Sequence, residues 1–402
     1  MLAITNVKVH PITSPNIESG TVLVKKDKVF AFGPSDQIQI PEEYTIFDGE
    51  GLNLFPGFID SHCHLGMTET GGMGSHTNEI SSPLTPCMNA ADAILPDEEF
   101  VYRAHQNAGI TTVLSTPGSA NVIGGTSTAF KTIPTVDIDE VIIKNPVHLK
   151  IALGENPARV YGGKGVAPAS KMGVAHMLRS QFRNAQSYLA KKQKSAQENK
   201  DFDIQEDMEV LGQVLNRTLN VEAHAHNYED MLTAIRIKEE FGIRLHIVHG
   251  TEAFKIIDQL RKHNIAITFS PQLSVASKKE NRFKTLRSDA MMAKAGLLFA
   301  ISTDHPVYPI DLLLIDAALS MREGLSLQQT LESITINAAK ILGLENCIGS
   351  IEVGKDADLV LWKDHPILHT QAKVERVLIN GEWIYTGQKS HGQFESYVRS
   401  FE

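Results

Sequence analysis

From Pro56 to residue 349, apolar β-rich runs alternate with amphipathic helical stretches, and this alternation limits the fold more than any other feature of the chain. Parallel strands joined by crossover helices produce such an order. Candidate strands are Phe58 to Ser61, Thr111 to Ser115, Leu149 to Leu153, Asn220 to Ala223, Leu245 to Val248, Ala266 to Phe269 and Leu298 to Ser302. One further strand, harder to place, falls between Ile123 and Ile143, which brings the total to eight. Helical stretches lie between them: Glu98 to Ala108 stops at Gly109, and Tyr228 to Phe241 stops at Gly242, as helices often do at glycine. The stretch Met172 to Leu219 is longer, and its charged middle, Lys191 to Asp203, reads as a solvated helix or loop.

The two ends have a different grammar. Leu2 to His10, Thr21 to Val24, Val29 to Phe32 and Tyr44 to Phe47 are short β-rich runs separated by turn residues. Leu359 to Trp362, Val374 to Ile379 and Trp383 to Tyr385 repeat that pattern near the C-terminus. The expected architecture is therefore α/β: a (β/α)8 TIM barrel over residues 56–349, with a small β-sandwich assembled from residues 1–55 and 350–402.

Composition narrows the function. The chain has 402 residues, and 38 Lys and Arg stand against 47 Asp and Glu for a net charge of −9. Without a basic stripe, neither nucleic acid nor an anionic membrane is an expected partner. No apolar run approaches the ~20 residues of a bilayer span, and Met1 to Ser14 lacks the pattern of a secretory signal. The expectation is a soluble, cytoplasmic homo-oligomer acting on a small molecule. Cys63, Cys87 and Cys347, odd in number and widely spaced, form neither a disulfide framework nor a CxxC metal site.

The chemistry-bearing residues gather at predicted strand ends. Asp60-Ser61-His62-Cys63-His64 closes the first barrel strand, and alternate residues of a strand share a face, so His62 and His64 can offer two imidazoles to one centre. The C-terminal mouth of a barrel is where such enzymes place their sites. Val221-Glu222-Ala223-His224-Ala225-His226 ends the fifth strand, His249 the sixth, and Asp304 with His305 the eighth. Singly, each of these histidines reads as a hydrogen-bonded structural residue and Asp304 as a helix cap. Together, four of eight strand ends bearing imidazole or carboxylate point to a site for a zinc-like cation. On the fourth strand Glu155 is the favoured carboxylate ligand; Lys150, deeper and on the opposite face, would serve only as a carbamate. His226, His246 and His305 read as supporting residues. Arg159 or Tyr161, just beyond the fourth strand, is a candidate for gripping a substrate carboxylate. P-loop, HExxH and GxSxG motifs are all absent.

The run Phe55-Pro56-Gly57-Phe58-Ile59-Asp60-Ser61-His62-Cys63-His64, with His224, His249 and Asp304, resembles the metal-dependent amidohydrolase superfamily, in its imidazolonepropionase-related branch. The segment from Gly349 to Val360 is similar to the one that returns that family to its β-sandwich. The resemblance implies that His62 and His64 bind one metal, that His224 and His249 are the middle histidine ligands, and that Asp304 is the general base beside the metal. Many relatives carry a carboxylated lysine on the fourth strand, whereas here Gly154-Glu155-Asn156-Pro157 follows Lys150. One or two divalent ions are implied, zinc first, with iron, manganese and cobalt also compatible. The implied reaction is hydrolysis of a C–N bond in a cyclic amide, N-acyl compound or dipeptide, with His249 stabilising the oxyanion if one metal binds. A deaminase of the same superfamily is the nearest alternative, and a non-catalytic barrel scaffold the remote one.

Overall fold

The computed structural model describes residues 1–68, 75–97, 99–269, 273, 276 and 278–387. The last fifteen residues assigned above to the β-sandwich, and the first residue of the Glu98 helix, lie outside the described residues. Both chain ends enter one eight-stranded sheet, in the order Glu382–Tyr385, Val374–Ile379, Leu359–Trp362, Asn53–Pro56, Leu2–Val9, Ile17–Lys25 and Lys28–Pro34, with Thr45–Asp48 also paired to Leu2–Val9. The join between the ends is the antiparallel pairing of Leu359–Trp362 with Asn53–Pro56. Ile4, Val22 and Leu54 pack with Ile351, Leu359 and Leu378 in a shared apolar cluster. Neither end could bury its apolar face without the other.

The middle of the chain forms parallel sheet. His148–Ala152, Asn220–Ala225, Leu245–His249, Ile267–Phe269 and Phe299–Ile301 are neighbours in that order, each pair parallel. Phe58–Cys63 and Ile110–Ser115 form a second parallel pair. The hard-to-place strand runs the other way. Ile123–Thr126 is antiparallel to His148–Ala152, and Thr128–Lys131 is antiparallel to Ile110–Ser115. Residues 116–127, between Ser115 and Thr128, hold Ile123–Thr126 and no helix, whereas a parallel return needs a crossover of about a dozen residues or more, usually helical. At the far edge the chain after Phe299–Ile301 meets Phe58–Cys63: the Asp304 N–H donates to the His62 carbonyl at 3.1 Å, and the His64 N–H to the His305 carbonyl at 2.8 Å.

Helices cover the outer face. Val221, Ala223, Ile247 and Ile267 belong to the main apolar core, together with Leu178 and Phe182 of the helix Lys171–Gln197 and Ala234 of the helix Tyr228–Phe241. The long helix starts at Ser170, whose side chain accepts from the Gly173 N–H, and it buries Val174, Leu178, Phe182, Ala185 and Tyr188 at steps of three and four. Its charged end reaches Gln197, so most of the polar middle expected from the sequence is helix. Gly242 ends its helix in the left-handed conformation, at φ 64°, where a side chain would be strained. Among the described residues no helix is long and apolar enough to cross a membrane.

A buried ion cluster ties the end-derived sheet to the central strands. Lys131, 3% exposed, pairs with Asp356 at 2.8 Å and also with Asp358, while Lys28 reaches Asp356 from the other side. Burial raises the Asp358 pKa, opposed chiefly by Lys131. Removing one partner of a buried pair leaves the rest uncompensated, so Lys131→Met is expected to destabilise the protein by about 3–5 kcal/mol. Urea unfolding measures this directly, and a loss below about 1 kcal/mol would mean that the cluster does not join the two parts.

Candidate metal and catalytic site

The inner face of the central strands is polar because of strand parity. In parallel register Lys150 stands opposite Glu222, and Glu222 opposite His246, so these three side chains share one face, and His148 and His224 continue it at steps of two. Leu149, Ile151, Val221 and Ala223 take the alternate positions and join the apolar core under the helices. The sequence thus writes two patterns into each strand, apolar outward and ionisable inward.

His62 and His64 are fixed from behind by two different acceptors. His62 Nδ1 lies 2.7 Å from Glu222 Oε1, and His64 Nδ1 lies 2.6 Å from the Thr116 carbonyl oxygen. A carboxylate and a carbonyl can only accept, so both Nδ1 atoms carry the proton and both Nε2 atoms present a lone pair. Thr116 serves both imidazoles, since its hydroxyl also donates to Glu222 Oε2 at 2.7 Å. The two Nε2 atoms each lie 3.4 Å from Asp304 Oδ1. This is the arrangement in which metal-binding imidazoles are held by outer partners.

Backbone conformation brings in the remaining groups. Parity would send the His249 side chain to the face opposite His246, but His249 has φ +78° and Asp304 has φ +52°, both left-handed and unusual for these residues. The turn re-aims His249, whose ring centroid lies 4.3 Å from that of His224, 4.5 Å from that of His226 and 5.4 Å from that of His62. Two groups with ligand-metal spacing result, His224–His226–His249 and His62–His249–Asp304, with His249 common to both. Buried His62 Nε2, His224 Nδ1 and His249 Nδ1 have no hydrogen-bond partner. Orphaned buried nitrogens are uncommon; a divalent cation in the first group would engage His224 and His249, and one in the second would engage His62 and His249.

The electrostatics suit the same role. Burial acts to raise the Asp304 pKa, but the surrounding His62, His64 and His249 outweigh it and hold the carboxyl well below its usual range. Burial acts in the same direction on Glu222, and His62 and Lys150 overcome it. Burial pushes His224 and His249 well down and His226 to about 3, so these rings are neutral and able to bind metal. Lys150 is lowered by burial.

A cavity of about 450 Å³ opens onto these groups, and His62, His64, His224, His249 and Asp304 all line it. Glu155 does not, which corrects the expectation that it is the fourth-strand ligand. The strand ends at Ala152, Gly154 turns at φ +90°, and Glu155 begins the helix Glu155–Gly162 facing a neighbouring groove. Lys150 is the fourth-strand side chain on the cavity wall. Tyr161 is corrected as well: its buried hydroxyl lies 2.6 Å from the Ser82 carbonyl and from Asn121 Oδ1, away from the cavity. Arg159 does line it. His226, expected as a supporting residue, stands among the potential ligands, whereas His305 Nδ1 accepts from the Ile310 N–H as a structural residue would. Glu222, Lys278, Asn281 and Lys284 were not singled out from the sequence; for Glu222 the signal was there, two residues before His224 in a buried strand.

The sequence profile described as "Amidohydrolase family" matches residues 53–384. The chain belongs to the amidohydrolase family. It is an enzyme of that family's chemistry, hydrolysis of C–N bonds other than ordinary peptide bonds. The crystal structure of an amidohydrolase from Thermotoga maritima MSB8 is 40% identical, with TM-score 0.92, covering 96% of this chain and all of that one. "Amidohydrolase tasK" of Hapsidospora irregularis is 27% identical over 82% of the chain, which spans only 36% of that longer protein. An imidazolonepropionase of Bacillus cytotoxicus is 26% identical across 93% of this chain and 91% of its own length. The family generally uses a divalent metal, and the donor set described above fits one.

Replacing Glu222 by Gln is expected to weaken divalent-cation binding about 10–100-fold, because the carboxylate fixes the His62 tautomer. Competition with a chromophoric chelator reads this directly; an unaltered affinity would mean that Glu222 only fills space.

Proposed function

We propose that this amidohydrolase is a metal-dependent hydrolase of a small amide-type substrate, a cyclic amide, N-acyl compound or dipeptide, built on a (β/α)8 barrel of residues 56–349 beside a β-sandwich formed by the two chain ends. The observation that carries this reading is the convergence of His62 Nε2 and His64 Nε2 on one Asp304 oxygen, each 3.4 Å away, with both Nδ1 atoms occupied behind. His62, His64, His249 and Asp304, with His224 adjoining, are the groups that would hold the cation, zinc being the first candidate. A divalent ion held there supplies Lewis acidity and lowers the pKa of water toward ~7.

The chain's own residues account for the remaining steps. Asp304, kept ionised by its histidine neighbours, is oriented to accept a proton from the attacking water and return it to the leaving nitrogen. His226, beside His224 and His249, is placed to hydrogen-bond an oxyanion at the carbonyl under attack. Lys150, facing Glu222 on the cavity floor, takes the place once given to Glu155 as the fourth-strand contributor, and as a carbamate it would add an anionic ligand. Arg159 at the rim meets the part of the substrate distant from the scissile bond.

Asp304→Asn is expected to lower kcat by about 10²–10⁴-fold with folding retained. The measurement is steady-state hydrolysis of N-acyl amino acids, dipeptides and cyclic ureides, with ammonia release followed in parallel and metal content determined by elemental analysis. A variant with wild-type kcat would remove Asp304 from the mechanism, and ammonia release without acyl loss or ring opening would place the chain among the deaminases.

A further inference from the structure

The cavity wall beyond the histidines is cationic. Arg159, Lys278 and Lys284 line it, with Lys150 deeper, and Asp304 is the one carboxylate among the described lining residues. The cations are not equivalent. Lys150 sits deep, opposite Glu222. Lys278 is largely neutralised by Glu280 at 2.7 Å and also donates to Asn156 Oδ1 at 3.1 Å. Arg159 makes no side-chain hydrogen bond or ion pair with any described residue, although it lines both this cavity and the neighbouring groove. Lys284 is half-buried on the same wall, close enough to feel the Asp304 charge.

The rest of the wall is polar and neutral. Asn78, Ser119, Asn156 and Asn281 supply amide and hydroxyl groups, and Val307 is the one apolar side chain among the described lining residues. A long acyl chain or a large apolar residue would find little surface to bury there, so apolar contact contributes little to selection. A guanidinium at the exposed rim that makes no ion pair with a described residue, beside a half-buried ammonium on the same wall, favours an anion.

We propose that the cavity selects a small polar amide bearing a carboxylate, with Arg159 and Lys284 as the cations that hold that carboxylate while the amide carbon lies against Asp304. The proposal rests on the hydrolase reading given above and adds the substrate class to it. It requires no group beyond those of the hydrolytic site.

The test uses the full chain loaded with zinc and a paired panel: N-acetyl amino acids, dipeptides and carboxymethyl-substituted cyclic ureides, each beside its primary carboxamide. The acids are expected to exceed the carboxamides in kcat/KM by about 30-fold or more. In the double variant Arg159→Met with Lys284→Met that ratio should fall at least about tenfold, chiefly through KM. Carboxamides turned over as well as acids by the wild-type protein, or a ratio that the double variant leaves in place, would overturn the proposal while leaving the hydrolase reading intact. Isothermal titration with N-acetylglutamate and its diamide separates the two claims. Preferential binding of the acid that is lost in the double variant, without turnover of any panel member, would support the anion subsite and end the hydrolase reading. Equal binding of acid and diamide would end the subsite.

Discussion

The short link from Glu222 to His62 organises the centre of the molecule. A carboxylate buried inside a strand layer is costly unless its oxygens are occupied, and here one meets His62 and the other the Thr116 hydroxyl. Those contacts turn a desolvated charge into a scaffold for two imidazoles, because Thr116 also accepts from His64. The free Nε2 atoms then have one direction left, toward Asp304. The same carboxylate faces Lys150 and His246 across the strands, so the inner face is a connected polar layer and not a set of isolated groups.

Backbone strain completes what side-chain chemistry starts. His249 and Asp304 both adopt left-handed conformations: His249 closes a strand whose regular parity would have left its side chain elsewhere, and Asp304 lies in the turn beyond the last strand. Such conformations cost on the order of 1–3 kcal/mol each and persist where surrounding contacts impose them. At Asp304 the imposing contacts are visible: its N–H donates to the His62 carbonyl, and Thr303 donates through both its backbone and its hydroxyl to Asp60. The strand carrying the HxH pair thereby holds the carboxylate that faces it.

The two chain ends do separate work. Their shared sheet closes around an apolar cluster drawn from both, and the Lys131 ion cluster fastens that sheet to the strand segment between Ile110–Ser115 and His148–Ala152. That segment runs antiparallel to both neighbours, and its last residue, Lys131, reaches the end-derived sheet through Asp356 and Asp358.

Much of this was legible in the linear chain. Alternating strand and helix patterns, His62 and His64 two residues apart, His224 at a strand end and Asp304 after the last strand follow from local periodicity, and local periodicity survives folding. Gly109 and Gly242 marked helix ends because only the local backbone decides there. The choice between Lys150 and Glu155 was not legible, since it depended on where one strand stopped and on a glycine turn that rotated the next residue out of the cavity. Nor was the burial of the Tyr161 hydroxyl, the inward turn of His249, or the pairing of Glu222 with a histidine 160 positions away. The sequence by itself determined which residue types face inward, because alternation along a strand is a one-dimensional property. Only the tertiary structure decided which of them meet, because cross-strand register, positive φ angles and the competition for buried hydrogen-bond partners exist only once distant segments are packed together.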